Sequence, residues 1–225
     1  MIKEQINYLS EFVLEQRLQQ LQRVLALRTR YLTVCLENLY HAQNASAVLR
    51  SCDAMGVQDV HIIESNHNYR IDSEIALGTE KWLSLHKYKK GTDTLSVIKQ
   101  LRNKSYRIVA TTPRPGSVSL SDFDITKGKT ALFFGTELKG LSDEMINNAD
   151  ECLHIPMYGF VESFNVSVSA SIILNELIGK LRQSNVKWQL PDNEQDEILL
   201  SWLKKTVRSS KLLLDRYMNE EESDL

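Results

Sequence analysis

The sequence predicts an α/β fold in which a mostly parallel sheet carries helices on both faces. Short runs of bulky apolar residues alternate with amphipathic segments along the chain, an order typical of such a sheet. Of the 225 residues, 42% are hydrophobic and 25% are charged, and only nine are Gly and four are Pro, as in ordinary globular chains with a sizeable core. This length suits one sizeable domain with helical extensions, or two small domains.

The first predicted element is an amphipathic helix from about Asn7 to Leu27, because leucines recur there at spacings of four, three and four residues. A buried strand begins at Thr33 and leads into the loop before a second helix, which Asn44 caps and Gly56 closes. The further predicted elements keep the alternation: a strand over 57–64, a helix over Asp93–Arg102, strands beginning at Tyr106, Thr130 and Cys152, and helices over Val166–Arg182 and Asp196–Met218.

The cysteines and the N-terminus indicate a cellular compartment. Cys35, Cys52 and Cys152 lie far apart without a Cys-x-x-Cys pair, which favours a reducing compartment over a disulfide framework. The five histidines and three cysteines have no ligand-like spacing, so no metal site is predicted. The first residues carry charges where a signal peptide needs an apolar run, and no stretch approaches the roughly 18 apolar residues of a membrane span. These observations predict a cytoplasmic protein.

Basic residues gather near both ends of the chain, although the net charge is −2. Four acidic residues within 219–225 hide this bias, since removing four negative charges turns −2 into +2. The basic residues of interest are Arg17, Arg23, Arg28, Arg30, Lys204, Lys205 and Arg208. Charge alone leaves two interpretations open: phosphate binding, or the solvated faces of amphipathic helices.

Three loops that follow predicted strands hold the candidate site, because ligands of parallel sheets bind at the carboxyl ends of the strands. The loops are HAQNASAVLR at 41–50, FGTELKGLSDE at 134–144 and IPMYGFVESFNVS at 155–167. The second is not a phosphate loop, because Leu141 follows Gly140 where that motif needs Lys. The third opens a helix with Ser163 and Asn165, whose side chains suit an anion, although plain N-capping by Asn165 explains them equally well.

These loops, in this order, resemble the three motifs of the SPOUT RNA methyltransferases. The resemblance rests on N-A-S-A-V-L-R followed by D-A-M-G, on F-G-T-E with G-L-S, and on I-P-M with S-F-N-V-S, and it spans about Leu32 to Leu181. The chain is most similar to the TrmH branch, the tRNA guanosine-18 2′-O-methyltransferases. The resemblance implies a deep trefoil knot in the C-terminal part of the sheet domain, with S-adenosylmethionine held in the knot.

Matching motif positions imply the site residues. The residues that would hold the cofactor are Thr111, Gly135, Ile155, Met157 and Phe164, the last standing where the family usually has leucine. The residues that would carry catalysis are Arg50, Asn44, Glu137, Ser163 and Asn165. Arg50 either takes the proton of the ribose 2′-hydroxyl or clamps the substrate phosphate and stabilises the forming oxyanion, since an arginine side chain ordinarily stays protonated.

The resemblance also implies the domain organisation and the partners. Residues 1–31 form an N-terminal helical extension, 32–185 a SPOUT catalytic domain with the knot, and 186–225 a C-terminal helical extension with an acidic tail. A homodimer through the knot region is expected, with tRNA bound by the basic residues of the extensions. Methylation of ribosomal RNA, and RNA binding without catalysis, are the alternatives. Ribosomal RNA members commonly carry an extra N-terminal domain, for which roughly 30 residues leave no room, so tRNA is favoured.

Overall fold

A computed structural model describes residues 1–39, 41–64, 78–88, 91–136 and 139–223 of the chain. The chain divides into two compact units, one of Thr29–Trp188 and one of Met1–Arg28 with Gln189–Leu225. The strands in the described residues are β1 Leu32–Glu37, β2 Asp59–Ile63, β3 Ser84–Lys87, β4 Arg107–Thr111, β5 Val118–Ser119, β6 Thr130–Phe134 and β7 Glu151–His154. Its α-helices are α1 Ile2–Ser10, α2 Glu15–Leu25, α3 Ala42–Met55, α4 Thr94–Asn103, α5 Asp143–Asn147, α6 Val166–Gln183, α7 Asp192–Thr206 and α8 Ser210–Ser223.

The unit Thr29–Trp188 is built on one sheet. Its strand order in the described residues is β3-β2-β1-β6-β4-β7-β5, and every neighbouring pair is parallel. All six residues of β1 and all five of β6 are buried, as expected for central strands covered on both faces. The prediction of an α/β fold with a parallel sheet is confirmed.

Helices pack on both faces of this sheet because neighbouring residues of a strand point to opposite sides. Val34 and Leu36 of β1 belong to the apolar core that includes α3 and α6. Cys35, between them, belongs to a second core that includes α4 and α5. The two-sided covering predicted from the alternating segments is therefore present, and the loops at the carboxyl ends of the strands are left to form a site.

Several helix ends lie where the sequence signals placed them. Gly56 closes α3 in the left-handed conformation, with φ 82°, and its N–H donates to the Asp53 carbonyl at 3.2 Å. Asp93 caps α4 by accepting from the Ser96 N–H at 2.7 Å. The first turn of α3 differs from the prediction, since His41 is the N-cap and Asn44 lies inside the helix.

The single N-terminal helix predicted over Asn7–Leu27 is wrong, because the structure has two helices, α1 and α2. The turn between them is closed by hydrogen bonds from the N–H groups of Glu11, Phe12 and Val13 to carbonyls three residues earlier. Leu14, taken as the start of the leucine stripe, has 82% of its surface exposed and precedes α2. Each short helix buries its own apolar residues, so the stripe does not need one continuous helix.

The last predicted helix, Asp196–Met218, is also two helices, α7 and α8. The break falls at Val207–Ser209, where Ser209 adopts φ 58°, a conformation that no helix continues through. The start lies earlier than predicted, at Asp192 after Pro191. Strands β3 and β5 and helix α5 were not predicted, since each is too short to show a period.

The second unit is helical. Helix α7 contacts α1, α2 and α8, and the buried side chains include Leu9, Leu21 and Trp202. The rings of Tyr8 on α1 and Tyr217 on α8 stack with centroids 4.6 Å apart. None of the described helices is both long and apolar enough to cross a membrane.

Candidate active site

Two adjoining cavities open where β4, β6 and β7 end. One has a volume of about 360 Å³ and the other about 100 Å³. They share seven lining residues: Thr111, Thr112, Pro113, Glu162, Ser163, Phe164 and Ser169. The smaller cavity is mainly apolar, with Leu153, Ile155 and Ile173 in its wall, whereas Lys139 and Arg114 reach the larger one. The cavities therefore lie at the carboxyl ends of the parallel strands, where the sequence predicted the site.

The loop after β6 forms one wall of the larger cavity, and its first residue, Gly135, must be glycine. A Cβ added to Gly135 would lie 2.2 Å from the Gly140 carbonyl carbon and 2.3 Å from the Leu141 nitrogen. Two backbone hydrogen bonds between Thr136 and Gly140, of 2.9 and 3.0 Å, close the loop. Gly140 itself has φ 68°. The larger cavity is thus bounded here by main chain, which suits recognition of a ligand by backbone groups.

Asn165 joins the first and third motif loops. Its Oδ1 caps α6 by accepting from the N–H of Ser167 at 2.8 Å and from the Ser167 hydroxyl at 2.6 Å. Its Nδ2 donates to Oδ1 of Asn44 on α3 at 3.1 Å. N-capping therefore occupies Asn165 Oδ1 and Ser167, while Ser163 and Ser169 line both cavities.

All five residues assigned to the cofactor from the motifs line the cavities. Thr111 and Phe164 line both, Gly135 lines the larger, and Ile155 and Met157 line the smaller. Thr111 is fixed by its hydroxyl, which donates to the Phe133 carbonyl at 2.7 Å. Phe164 keeps 41% of its surface exposed, so the ring that replaces the usual leucine lies at the opening. Their role toward a cofactor stays a prediction.

The catalytic candidates are only partly brought together. Ser163 lines both cavities, and Asn44 and Asn165 bond to each other. Arg50 lies six residues after Asn44 on α3 with an exposed side chain, and it lines neither cavity within the chain. Glu137 lies outside the described residues.

Three charged residues at the cavities were missed by the sequence argument. They are Glu162, Arg114 and Lys139. Arg114 forms an ion pair with Asp143 at the start of α5. A usable signal existed for Arg114, because it lies in a Pro-Arg-Pro-Gly turn directly after the predicted strand at Tyr106. In the described chain, no group of three or more His, Cys, Asp or Glu residues is placed to bind a metal ion.

The basic residues proposed for RNA differ in accessibility. Arg23, Lys204, Lys205 and Arg208 are exposed, and the Arg17 side chain donates to Gln20 Oε1 at 2.7 Å.

Two of these assignments change with the structure. Arg28 is only 2% exposed, and its guanidinium carbon lies 5.4 Å from the Trp202 ring centroid, so its assignment as an RNA contact is wrong. The packing of α2 against α7 buries it. Arg30 is partly buried and its Nε donates to Asp59 Oδ1 at 3.1 Å, which makes it a structural ion pair.

Comparison with known proteins agrees with this geometry. The model of the SpoU rRNA Methylase family matches residues 31–175, which include all three motif loops. The chain belongs to the SpoU methylase family. This SpoU methylase is 36% identical to the tRNA (guanosine(18)-2′-O)-methyltransferase of Borreliella burgdorferi over 212 residues, covering 94% of this chain and 95% of that protein.

A solved structure and a ribosomal RNA enzyme are also similar to this chain. The crystal structure of the Aquifex aeolicus TrmH/SpoU tRNA modifying enzyme superposes with a TM-score of 0.77 at 32% identity, covering 87% of this chain and 98% of that one. The 23S rRNA (guanosine-2′-O-)-methyltransferase of Shewanella oneidensis is 31% identical over 149 residues. That match covers 65% of this SpoU methylase and only 58% of the ribosomal RNA enzyme.

Proposed function

We propose that this SpoU methylase transfers a methyl group from S-adenosylmethionine to the ribose 2′-hydroxyl of guanosine 18 in tRNA. The observation that carries the proposal is the extent of the Borreliella match, which covers 94% of this chain and 95% of the tRNA enzyme. A match of that length extends beyond the family segment at 31–175 into the flanking helices. The match to the ribosomal RNA relative is shorter, covering 65% of this chain and 58% of that enzyme, so it supports that substrate less.

The cavities fit S-adenosylmethionine by the chemistry of their walls. Apolar side chains such as Ile155 and Met157 suit the adenine ring. Because Gly135 has no side chain, the backbone at Gly140 can pass close to it, and both residues line the larger cavity. Thr111 and Phe164 border both spaces. When bound, the cofactor supplies an electrophilic methyl group on a sulfonium.

This chain must then align the ribose oxygen and assist loss of its proton. The new bond joins the 2′-oxygen to the methyl carbon, the carbon–sulfur bond breaks, and the hydroxyl proton leaves to a base or to water. We assign Arg50 the part of a phosphate clamp that also stabilises the developing charge on oxygen, because a guanidinium ordinarily keeps its proton. Asn44, Ser163, Asn165 and Glu137 are proposed to order the substrate around it.

We also propose that the enzyme works as a homodimer through the region of a deep trefoil knot. Exposed apolar side chains next to the cavities support a second copy: Tyr158 is 97% exposed, Phe160 109% and Val161 62%. The position of Arg50 supports it too, since Arg50 lines neither cavity of its own chain. A partner subunit would complete the site.

The proposed organisation has a catalytic domain over 32–185 and two helical extensions, 1–31 and 186–225, that bind the tRNA. Exposed basic residues on the helical unit support the assignment of tRNA binding to the two extensions. We also propose a cytoplasmic location, which a tRNA substrate supports.

The test uses labelled S-adenosylmethionine and three RNAs: a tRNA with guanosine 18, the same tRNA with 2′-deoxyguanosine at that position, and a 23S ribosomal RNA fragment. We expect methylation of the first alone, with the product resistant to alkaline cleavage after nucleotide 18. Equal methylation of the deoxy tRNA would refute the assigned hydroxyl. Methylation of the ribosomal fragment alone, or cofactor binding without turnover, would establish one of the two alternatives.

A further inference from the structure

A buried carboxylate, Glu37, lies at the end of β1. Glu37 is 2% exposed, and three hydrogen bonds reach it. Its Oε1 accepts from the Thr94 hydroxyl at 2.7 Å and from the Ser142 hydroxyl at 2.8 Å, and its Oε2 accepts from the Ser142 N–H at 2.9 Å. A buried carboxylate is tolerated only when such donors replace water, so these contacts hold their elements firmly.

Two of the three donors belong to the end of the cavity loop. The Gly135–Ser142 loop, described at 135–136 and 139–142, is fixed at its start by the close pass between Gly135 and Gly140. At its end, the Ser142 hydroxyl donates to Glu37 and also accepts from the Met145 N–H at 3.1 Å, capping α5. Between these anchors, Thr136, Lys139 and Leu141 line the larger cavity.

Glu37 also stands at the entrance to the first motif loop. The next residue, Asn38, turns the chain with φ 54°, and its N–H donates to the Ile63 carbonyl at 2.9 Å. The chain then runs toward α3, which carries Asn44 and Arg50. One side chain is thus tied to the loops of the first and second motifs while lining neither cavity.

We propose that Glu37 is a positioning residue for methyl transfer, which holds the Gly135–Ser142 loop in the form that binds S-adenosylmethionine. The inference rests on the proposed function, because the loop matters only if that cavity takes the cofactor. Thr94, the third donor, anchors the carboxylate to α4 and has no part in the loop. The chain therefore offers a matched pair of hydroxyls that donate to the same oxygen from different elements.

The experiment compares Ser142→Ala with Thr94→Ala in the full chain, by calorimetric titration with S-adenosylmethionine and by thermal unfolding. Each variant removes one hydrogen bond to Oε1, so both should lower Tm by a few degrees. Ser142→Ala should raise the Kd of the cofactor about fivefold or more, whereas Thr94→Ala should change it less than about twofold. Ser142→Thr keeps the hydroxyl and should restore the affinity.

Ser142→Ala also removes the N-cap of α5, and this effect must be distinguished from the loss of the hydrogen bond to Glu37. Both substitutions are therefore also made in a Glu37→Gln background. If Ser142 acts through Glu37, Ser142→Ala will weaken cofactor binding much less in the Glu37→Gln background than in the wild type. An undiminished effect there, or equal effects of Ser142→Ala and Thr94→Ala on Kd, would overturn the inference. Failure of the wild-type protein to bind the cofactor would instead refute the proposed function.

Discussion

At the scale of single residues, Glu162 is an acidic residue at the cavities that we propose hold the cofactor. It lines both cavities, and among the described lining residues it is the only acidic one. Its neighbours in both walls, Ser163 and Phe164, occupy positions that the motifs assign to substrate and cofactor. A carboxylate where the two spaces meet is suited to the sulfonium, which joins the adenosine and methionine parts of the cofactor.

Glu162→Gln should therefore weaken the binding of S-adenosylmethionine more than the binding of S-adenosylhomocysteine, the product of methyl transfer. S-adenosylhomocysteine lacks the sulfonium charge, and one attraction between unit charges about 5 Å apart in a solvated site is worth roughly a threefold to tenfold change in Kd. Titrations of wild type and variant with both ligands measure this difference. We expect the product's Kd to stay within about twofold. Equal weakening of both ligands would contradict a role at the sulfonium.

Residue roles were predictable from the sequence where a motif fixes them and unpredictable where packing does. Gly135 could be assigned to the cofactor wall from its motif. The reason for glycine there is visible only in the folded loop, where an added Cβ would lie 2.2 Å from the Gly140 carbonyl carbon. Arg28 looked like a solvated cation because no acidic residue lies near it in sequence. Only the packing of Trp202 beside it shows that it is buried.

At the scale of elements, β2 and β3 place a histidine pair inside the sheet domain. His61 and His86 are opposite each other in register, with ring centroids 4.5 Å apart, and His61 Nδ1 lies 2.9 Å from the Tyr88 hydroxyl. Burial lowers the pKa of His61 from 6.5 to about 3, and the charge of His86 adds to this against the opposing effect of Asp59. His61 is therefore neutral in the folded protein at ordinary pH.

This histidine should make the sheet domain acid-sensitive in a defined window. The unfolded chain takes up the proton near pH 6.5 and the folded chain only near 3, so stability is present above 6.5 and falls as the pH drops toward 3. Between pH 7 and pH 4.5 the loss is about 2.5 kcal/mol. Urea unfolding of His61→Asn from pH 7 to 4.5 should show a shallower decline than wild type, while His41→Asn, at an exposed position, should follow wild type. Parallel curves for all three proteins would count against this account.

The boundaries of helices could be predicted where a nearby residue in the sequence ends the helix. They could not be predicted where contacts with distant parts of the chain set the boundary. Gly56 and Asp93 mark their helix ends through their own backbone or side-chain chemistry. The leucine stripe through Leu14 instead suggested one helix, because periodicity cannot show that the chain turns back between two short helices. The two residues of β5 become a strand only by pairing with β7.

At the scale of the whole molecule, the chain separates a catalytic sheet unit from a helical unit that carries exposed cations. The alternation of strands and helices predicted the first, and the resemblance of three motifs assigned its site. The function of the second depends on which basic side chains reach solvent, a property of the folded helices. The structure leaves Arg23, Lys204 and Arg208 exposed and removes Arg28 from that set.

Charge reversal at these three positions, Arg23→Glu, Lys204→Glu and Arg208→Glu together, should weaken tRNA binding and leave cofactor affinity unchanged. For every phosphate that the variant no longer neutralises, the slope of log K against log salt should also fall by roughly 0.7 to 0.9. The matched control reverses three exposed lysines of the sheet unit, Lys99, Lys104 and Lys127, and takes the net charge from −2 to −8 in the same way. Filter binding across a salt series measures both triple variants. If the control weakens binding as much as the test variant, overall charge rather than the helical unit governs affinity, and the assignment of tRNA to these helices fails.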